Sequence, residues 1–105
     1  MTEDEFRALA LALPGAVGAG HQGHADFRAE GKIFAGLPKA GIASLKLHPE
    51  EQDMAMAISP AFTPAAGAWG QRGWTMVDLT KVEAGFLAAM MVKARANVAK
   101  KARVK

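Results

Sequence analysis

The chain has no cysteine, which excludes disulfides, thiolate metal centres and thiol nucleophiles and suits a reducing compartment. No apolar run approaches the roughly 18 residues of a membrane span. The segment Met1-Thr2-Glu3-Asp4-Glu5 is acidic and lacks the basic-then-apolar order of a secretory signal. A cytoplasmic location without membrane contact is therefore expected. Phosphate-loop chemistry is not indicated either, because Gly18, Gly20 and Gly23 have G-x-G-x-x-G spacing, and Gly15 precedes them, but the run does not follow a strand. Ser44 and Ser59 lie outside any G-x-S-x-G context and have no matched His/Asp pair. The expectation is a protein without enzymatic activity, cofactor or metal. Acid is scarce in the second half. Residues 1–53 carry eight acids and five bases, net −3, whereas residues 54–105 carry two acids and eight bases, net +6. Together they give the formal charge of +3, a dipolar distribution compatible with a polyanionic partner.

What is present suffices for one domain. A chain of 105 residues, half of them apolar, buries roughly two thirds of its unfolded surface without staples. Much of the apolar content is alanine, so the core rests on five Phe, two Trp, six Met and the Leu/Ile/Val set. A single domain over residues 1–99 is expected, with a basic tail over 100–105 that frays. There is no internal repeat and no low-complexity tract.

Thr2 and Glu5 are spaced as a capping box, and Phe6, Leu9, Ala10 and Leu13 follow at helical intervals, predicting a helix over 3–13 that Pro14-Gly15 stops. Residues 16–23 are small and Gly-rich, either a weak strand or a loop. Asp26-Phe27-Arg28-Ala29, Glu30-Gly31 and Lys32-Ile33-Phe34-Ala35 predict a tight hairpin with Phe27 opposite Phe34. A turn over 36–41 and a strand over 42–48 follow, with Ala43, Leu45 and Leu47 on one face and Ser44 and Lys46 on the other. Pro49-Glu50-Glu51 opens a helix with Met54, Ala55 and Ile58 as its inner stripe. Residues 61–67 read as a connector, 73–79 as a strand, and Thr80-x-x-Glu83 as a second capping box. The last helix buries Val82, Phe86, Leu87, Met90, Met91, Ala94 and Val98. Strands in runs joined by short turns imply an α+β fold of two layers, an antiparallel sheet with helices packed on one face.

Both tryptophans stand in Ala68-Trp69-Gly70-Gln71-Arg72-Gly73-Trp74, a loop feeding a strand and hence a core edge or a binding surface. Together with Phe6-Arg7, Leu13-Pro14-Gly15, Gly23-His24-Ala25-Asp26-Phe27-Arg28, Gly31-Lys32-Ile33-Phe34-Ala35 and Leu45-Lys46-Leu47 before a Pro-Glu-Glu helix, it makes the chain resemble the MmcQ/YjbR-like family of small bacterial proteins. It departs at Ala25, where a proline often follows the histidine, and at Ala16-Val17-Gly18-Ala19, which lacks the usual acidic residues. The resemblance implies a secretion-chaperone-like fold, also compared with frataxin, and a double-wing arrangement in which two β-hairpins grip duplex DNA.

Read from the residues, phosphate contacts need Lys or Arg on elements that reach a groove. Arg28 and Lys32 in the hairpin, Lys39 in the next turn, Arg72 and Trp69 in the Trp loop, and Lys93, Lys100 and Lys101 at the C-terminus are the candidates, with Arg95 and Arg103 extending them. The alternative for each cation is a solvated surface charge, diluted by Asp26, Glu30 and Asp78. Trp74 is expected in the core, while Trp69 either covers the sheet edge or stacks on unpaired bases. A protein partner on the sheet face or Trp69 is the alternative to DNA, and a polar pocket near His24, Lys46 and Trp74 is the third reading. A monomer or weak dimer is expected. His21-x-x-His24 with Asp26 has donor types that suit a metal, but positions i and i+3 of a strand point to opposite faces, so a structural His24 is expected. Glu3, Asp4 and Glu5 could form an iron-binding acidic ridge, yet capping accounts for them. The methionines read as core filler.

Overall fold

A computed structural model describes residues 1–21 and 24–99 of the chain. The elements run α1 (Glu3–Leu11), β1 (Val17–His21), β2 (His24–Ala29), β3 (Lys32–Lys39), β4 (Ile42–Lys46), α2 (Pro49–Ile58), β5 (Phe62–Pro64), α3 (Gly67–Gln71), β6 (Trp74–Asp78) and α4 (Ala84–Asn97). Six strands form one sheet in the order β1-β2-β3-β4-β6-β5, every neighbouring pair antiparallel. The α+β architecture follows as predicted, with α4 packed across β3 and β4 and α1 beside α4.

Local chemistry sets the ends of these elements. The Thr2 hydroxyl accepts from Glu5 N at 3.0 Å while the Glu5 carboxylate accepts from Thr2 N at 2.8 Å, the reciprocal box that starts α1. Glu30 (φ 53°) and Gly31 (φ 81°) both lie in left-handed conformation, as a two-residue hairpin turn requires. The expected second capping box does not form. Glu83 itself caps α4, its carboxylate accepting from Gly85 N at 2.8 Å and Phe86 N at 2.9 Å, while the Thr80 hydroxyl and amide donate to Asp78.

Alternation decides the core. Ala43, Leu45, Thr75 and Val77 face the helices and are fully buried. Leu87, Met90, Met91, Ala94 and Val98 of the last helix meet them, as its periodicity predicted. Phe27 does not pair with Phe34. The register shifts between Phe27 and Arg28, setting Phe27 opposite Ala35 and Arg28 opposite Ile33. The extra residue lets Phe34 and Ala35 both turn inward. Phe27 packs instead against the edge of Phe6, centroids 6.0 Å apart.

Five further expectations need correction. Residues 36–39 belong to β3, whose irregularity between Gly36 and Lys39 accommodates Pro38. The 61–67 connector contains β5, and the Trp loop contains α3. The inner face of α2 is Gln52 and Ala55, leaving Met54 and Ile58 exposed, because the Gln52 amide finds acceptors in the interior. Among the methionines, Met90 and Met91 fill the core, whereas Met54 and Met56 are exposed. The expected fraying tail, residues 100–105, lies outside the described residues.

Candidate functional site

The face of the sheet turned away from the helices carries the residues of interest. Because side chains alternate along a strand, burying Ala43, Leu45, Thr75 and Val77 sends Ser44 and Lys46 of β4 and Trp74 and Met76 of β6 to the other side. The β4–β6 register sets Lys46 opposite Trp74 and Ser44 opposite Met76. Ile33 and Pro38 of β3 adjoin them. The short helix α3 stands beside β6 and brings up Trp69. Ile33, Pro38, Ser44, Trp69, Trp74 and Met76 line a groove of about 500 Å³. A smaller hollow of about 320 Å³ shares Ile33, Pro38 and Ser44 with it and continues past Gly36 towards Asp26 and His24.

Trp74 is therefore half-buried on this open face rather than in the core, which corrects the sequence expectation. Its neighbour Trp69 is 61% exposed, unusual for the largest apolar side chain. Each ring carries a cation. The Arg72 guanidinium lies 5.9 Å from the Trp69 centroid and the Lys46 ammonium 5.8 Å from that of Trp74. Lys46 Nζ also donates to the backbone carbonyl of Arg72 at 3.3 Å, which ties β4 to the end of α3.

The placement of α3 rests on backbone packing and one buried amide. Gly70 is buried against the Ala65 backbone, where a Cβ would come within 2.0 Å of the Ala65 carbonyl oxygen. Gly73 has φ +108° and presses on Leu47, whose oxygen would stand 1.8 Å from an added Cβ. Gln52 Nε2 lies 3.1 Å from Gly70 O, Trp74 O and Thr75 Oγ1 and donates to these acceptors, tying α2 to α3 and β6. Reading the sequence missed Gln52. Its only signal was a position three residues before Ala55, on a helix whose stripe was assigned to Met54 and Ile58.

Among the described residues, the predicted phosphate-contacting cations do not gather into one patch. Arg28 is chelated by Asp26 through bonds of 2.9 and 3.2 Å, a pairing that raises its already high pKa. Lys32 and Lys39 stand at opposite ends of the eight-residue β3, about 23 Å apart at roughly 3.3 Å per residue. Lys93 lies on α4 in the helical layer, its charge felt by Glu51. Burial would raise the Glu51 pKa, but hydrogen bonds from His48 N and Asn97 and the nearby positive charges leave it lowered. Arg95 donates to Pro14 O at 2.8 Å and pairs with Glu30 at 3.3 Å. Lys100, Lys101 and Arg103 lie outside the described residues.

His24 is exposed at the start of β2, remote from the Lys46–Trp74 pair, so the third reading's polar pocket is not assembled. Its side chain makes no hydrogen bond to another described residue, contrary to the structural role expected of it. The His21 side chain lies outside what is described. Among the described residues no three His, Asp or Glu side chains cluster as metal ligands, and no helix is long and apolar enough to cross a membrane. Glu5 accepts from Thr2 N at 2.8 Å and Glu3 from Gly41 N at 2.9 Å, so both carboxylates are engaged as acceptors.

Comparison with known proteins agrees with this architecture. A crystal structure of a Deinococcus radiodurans protein with a DUF419 domain superposes with a TM-score of 0.77 at 21% identity, over 99% of this chain and 83% of that one. A Pseudomonas syringae protein superposes with a TM-score of 0.73 at 16% identity, over 94% of this chain and all of the other. At such identities the likeness shows the fold. No curated protein matches the chain. The YjbR family profile matches residues 11–96, most of the chain from the end of α1 through α4. The chain therefore belongs to the YjbR family.

Proposed function

We propose that this protein is a binding module that captures an apolar, acid-flanked segment of a partner protein on the open face of its sheet. One observation carries the reading: Trp69, Trp74, Ile33 and Met76 lie side by side on a solvent-facing surface with Lys46 and Arg72 at its rim. An exposed apolar surface bordered by polar groups is characteristic of a contact site. Tryptophan and arginine are the side chains that most often dominate interface energetics. The groove lining is almost wholly apolar, which favours apolar side chains over a phosphate backbone as its occupant. The two rim cations favour carboxylates next to those side chains.

A second reading, single-stranded nucleic acid, draws on the same pair of aromatic rings with adjacent cations, the pattern of a base-stacking platform. Duplex DNA held between two hairpins receives less support, since Arg28 is neutralised by Asp26 and Lys32 and Lys39 diverge.

Fluorescence anisotropy with three labelled probes tests the proposal. The probes are a ten-residue peptide of alternating leucine and aspartate, its leucine-lysine counterpart, and a fifteen-nucleotide oligothymidine. Preferential binding of the leucine-aspartate peptide, weakened at least about tenfold by Trp69→Ala, is expected. Equal binding of the lysine peptide, or indifference to Trp69→Ala, overturns the reading. Oligothymidine binding that is lost with Trp69 and falls steeply with salt replaces the occupant with a single strand.

A further inference from the structure

A second site lies on the helix-bearing side, between α1 and the β1–β2 edge. Its origin is visible in the sequence of β1, Val17-Gly18-Ala19-Gly20-His21. Gly18 and Gly20 pair with Phe27 and Ala25, so they occupy the positions on the helix side of the strand. With no side chains there, no described residue of β1 fills the space beside α1. A trench of about 420 Å³ results, with Leu11 and Phe27 as its apolar floor and Arg7 and His24 on its walls. It adjoins a hollow of about 330 Å³ that shares Arg7, His24 and Ala25 and adds Lys39, Leu37 and Glu3.

The polar groups have one chemical sense. The Arg7 guanidinium lies 6.0 Å from the Phe27 centroid, over the ring. Arg7, His24 and Lys39 form no ion pair among the described residues. The single carboxylate on the lining, Glu3, already accepts from Gly41 N. Arg7 thus brings an unpaired guanidinium to a cavity whose floor is apolar, and Lys39 stands on the adjoining hollow. A guanidinium presents a planar fork to a carboxylate or phosphate, and the fork is most effective where water is partly excluded.

We infer that this trench binds a small oxyanion carried on an apolar body, an aryl carboxylate or aryl phosphate, with Arg7 holding the anion and the body resting on Leu11 and Phe27. The site is separate from the Trp groove and does not depend on what occupies that groove. Most ligand sites have this composition, an apolar cavity with a few convergent polar groups.

Backbone amide NMR titrations of the full chain test it, with benzoate and phenyl phosphate as probes and inorganic phosphate and benzyl alcohol as separate controls for charge and body. The expected result is saturable shifts at the Gly18, Gly20 and Phe27 amides, with Kd on the order of 1 mM or tighter and weaker responses to both controls. Arg7→Gln and Gly20→Leu should each weaken binding about tenfold or more. The second variant fills the trench without changing charge. Gly20 is outside the positive-φ region, and among the described residues its added Cβ would meet only His24 O, at 3.7 Å. Lost binding in Arg7→Gln but not in Gly20→Leu overturns the placement. So do saturable shifts confined to the Trp69 face, or no saturable shifts at all. If Gly20→Leu fails to fold, Arg7→Gln and the two controls decide the matter.

Discussion

Gln52 is the side chain whose replacement should reveal most about how the binding face is held. It is 7% exposed and its amide reaches Gly70 O, Trp74 O and Thr75 Oγ1, so one polar group joins α2, α3 and β6. The amide has two hydrogens for three acceptors, so at most two strong bonds are lost at a time. Each acceptor also keeps another partner: Gly70 O has Gly73 N, Trp74 O has Ala65 N, and Thr75 Oγ1 donates to Gly73 O. Gln52→Leu preserves volume and removes the bonds, an expected cost of about 1–2 kcal/mol. Gln52→Ala adds a cavity and should reach about 2–4 kcal/mol. Gln52→Glu is the sharpest case, because it keeps the shape but points a carboxylate at three oxygens, and more than about 3 kcal/mol at neutral pH is expected. Protonation restores a donor, so that variant should recover part of its deficit as the pH falls. Urea unfolding followed by tryptophan fluorescence measures the series, midpoints reporting stability while m stays constant. Because Gln52 anchors the segment bearing Trp69, Gln52→Leu should also shift the native emission. A Gln52→Glu protein as stable as the parent at pH 7 would refute the reasoning, since the amide donors would then carry no net free energy.

Further expectations concern backbone, pH and surface. Gly73→Ala should destabilise by about 3 kcal/mol or more, because both its φ and Leu47 O oppose a side chain. Gly31→Ala, with a similar φ sign but open space, should cost only about 1 kcal/mol, and denaturant midpoints of the two variants check the contrast. Backbone hydrogen bonds lower the pKa of Glu5 from Thr2 and of Glu83 from Gly85 and Phe86, and the Thr80 side chain lowers that of Asp78. Carboxylates lowered in the folded state contribute stability that is complete above their unfolded values and is lost as pH falls through the folded ones. The melting temperature should therefore hold from pH 7 to about 5 and fall below about 4.5, with a shallower fall in Glu83→Gln; a melting temperature that rises on acidification contradicts this. Trp69→Ala should change stability by less than about 0.5 kcal/mol, since the ring is 61% exposed, while abolishing any ligand response of the groove.

Local rules made much of this molecule readable in the chain. The Thr2/Glu5 box, the Glu30-Gly31 turn, the alternation of Ala43, Leu45 and Leu47, and the buried arc of the last helix depend on contacts within a few residues or on a repeating period, so they can be read from the order of side chains alone. The YjbR resemblance gathered those short signals into one ordered set. Tertiary structure decided the rest, for reasons of distance along the chain. A bulge moved Phe27 from Phe34 to Phe6, and the pull of interior acceptors on Gln52 turned α2 away from its apolar stripe. Pairing of β4 with β6 brought Lys46 to Trp74, and the length of β3 set Lys32 and Lys39 apart. Residue types and local periods specify which faces must be buried. Which exposed residues become neighbours depends on strand register, where a one-residue shift exchanges one face for the other.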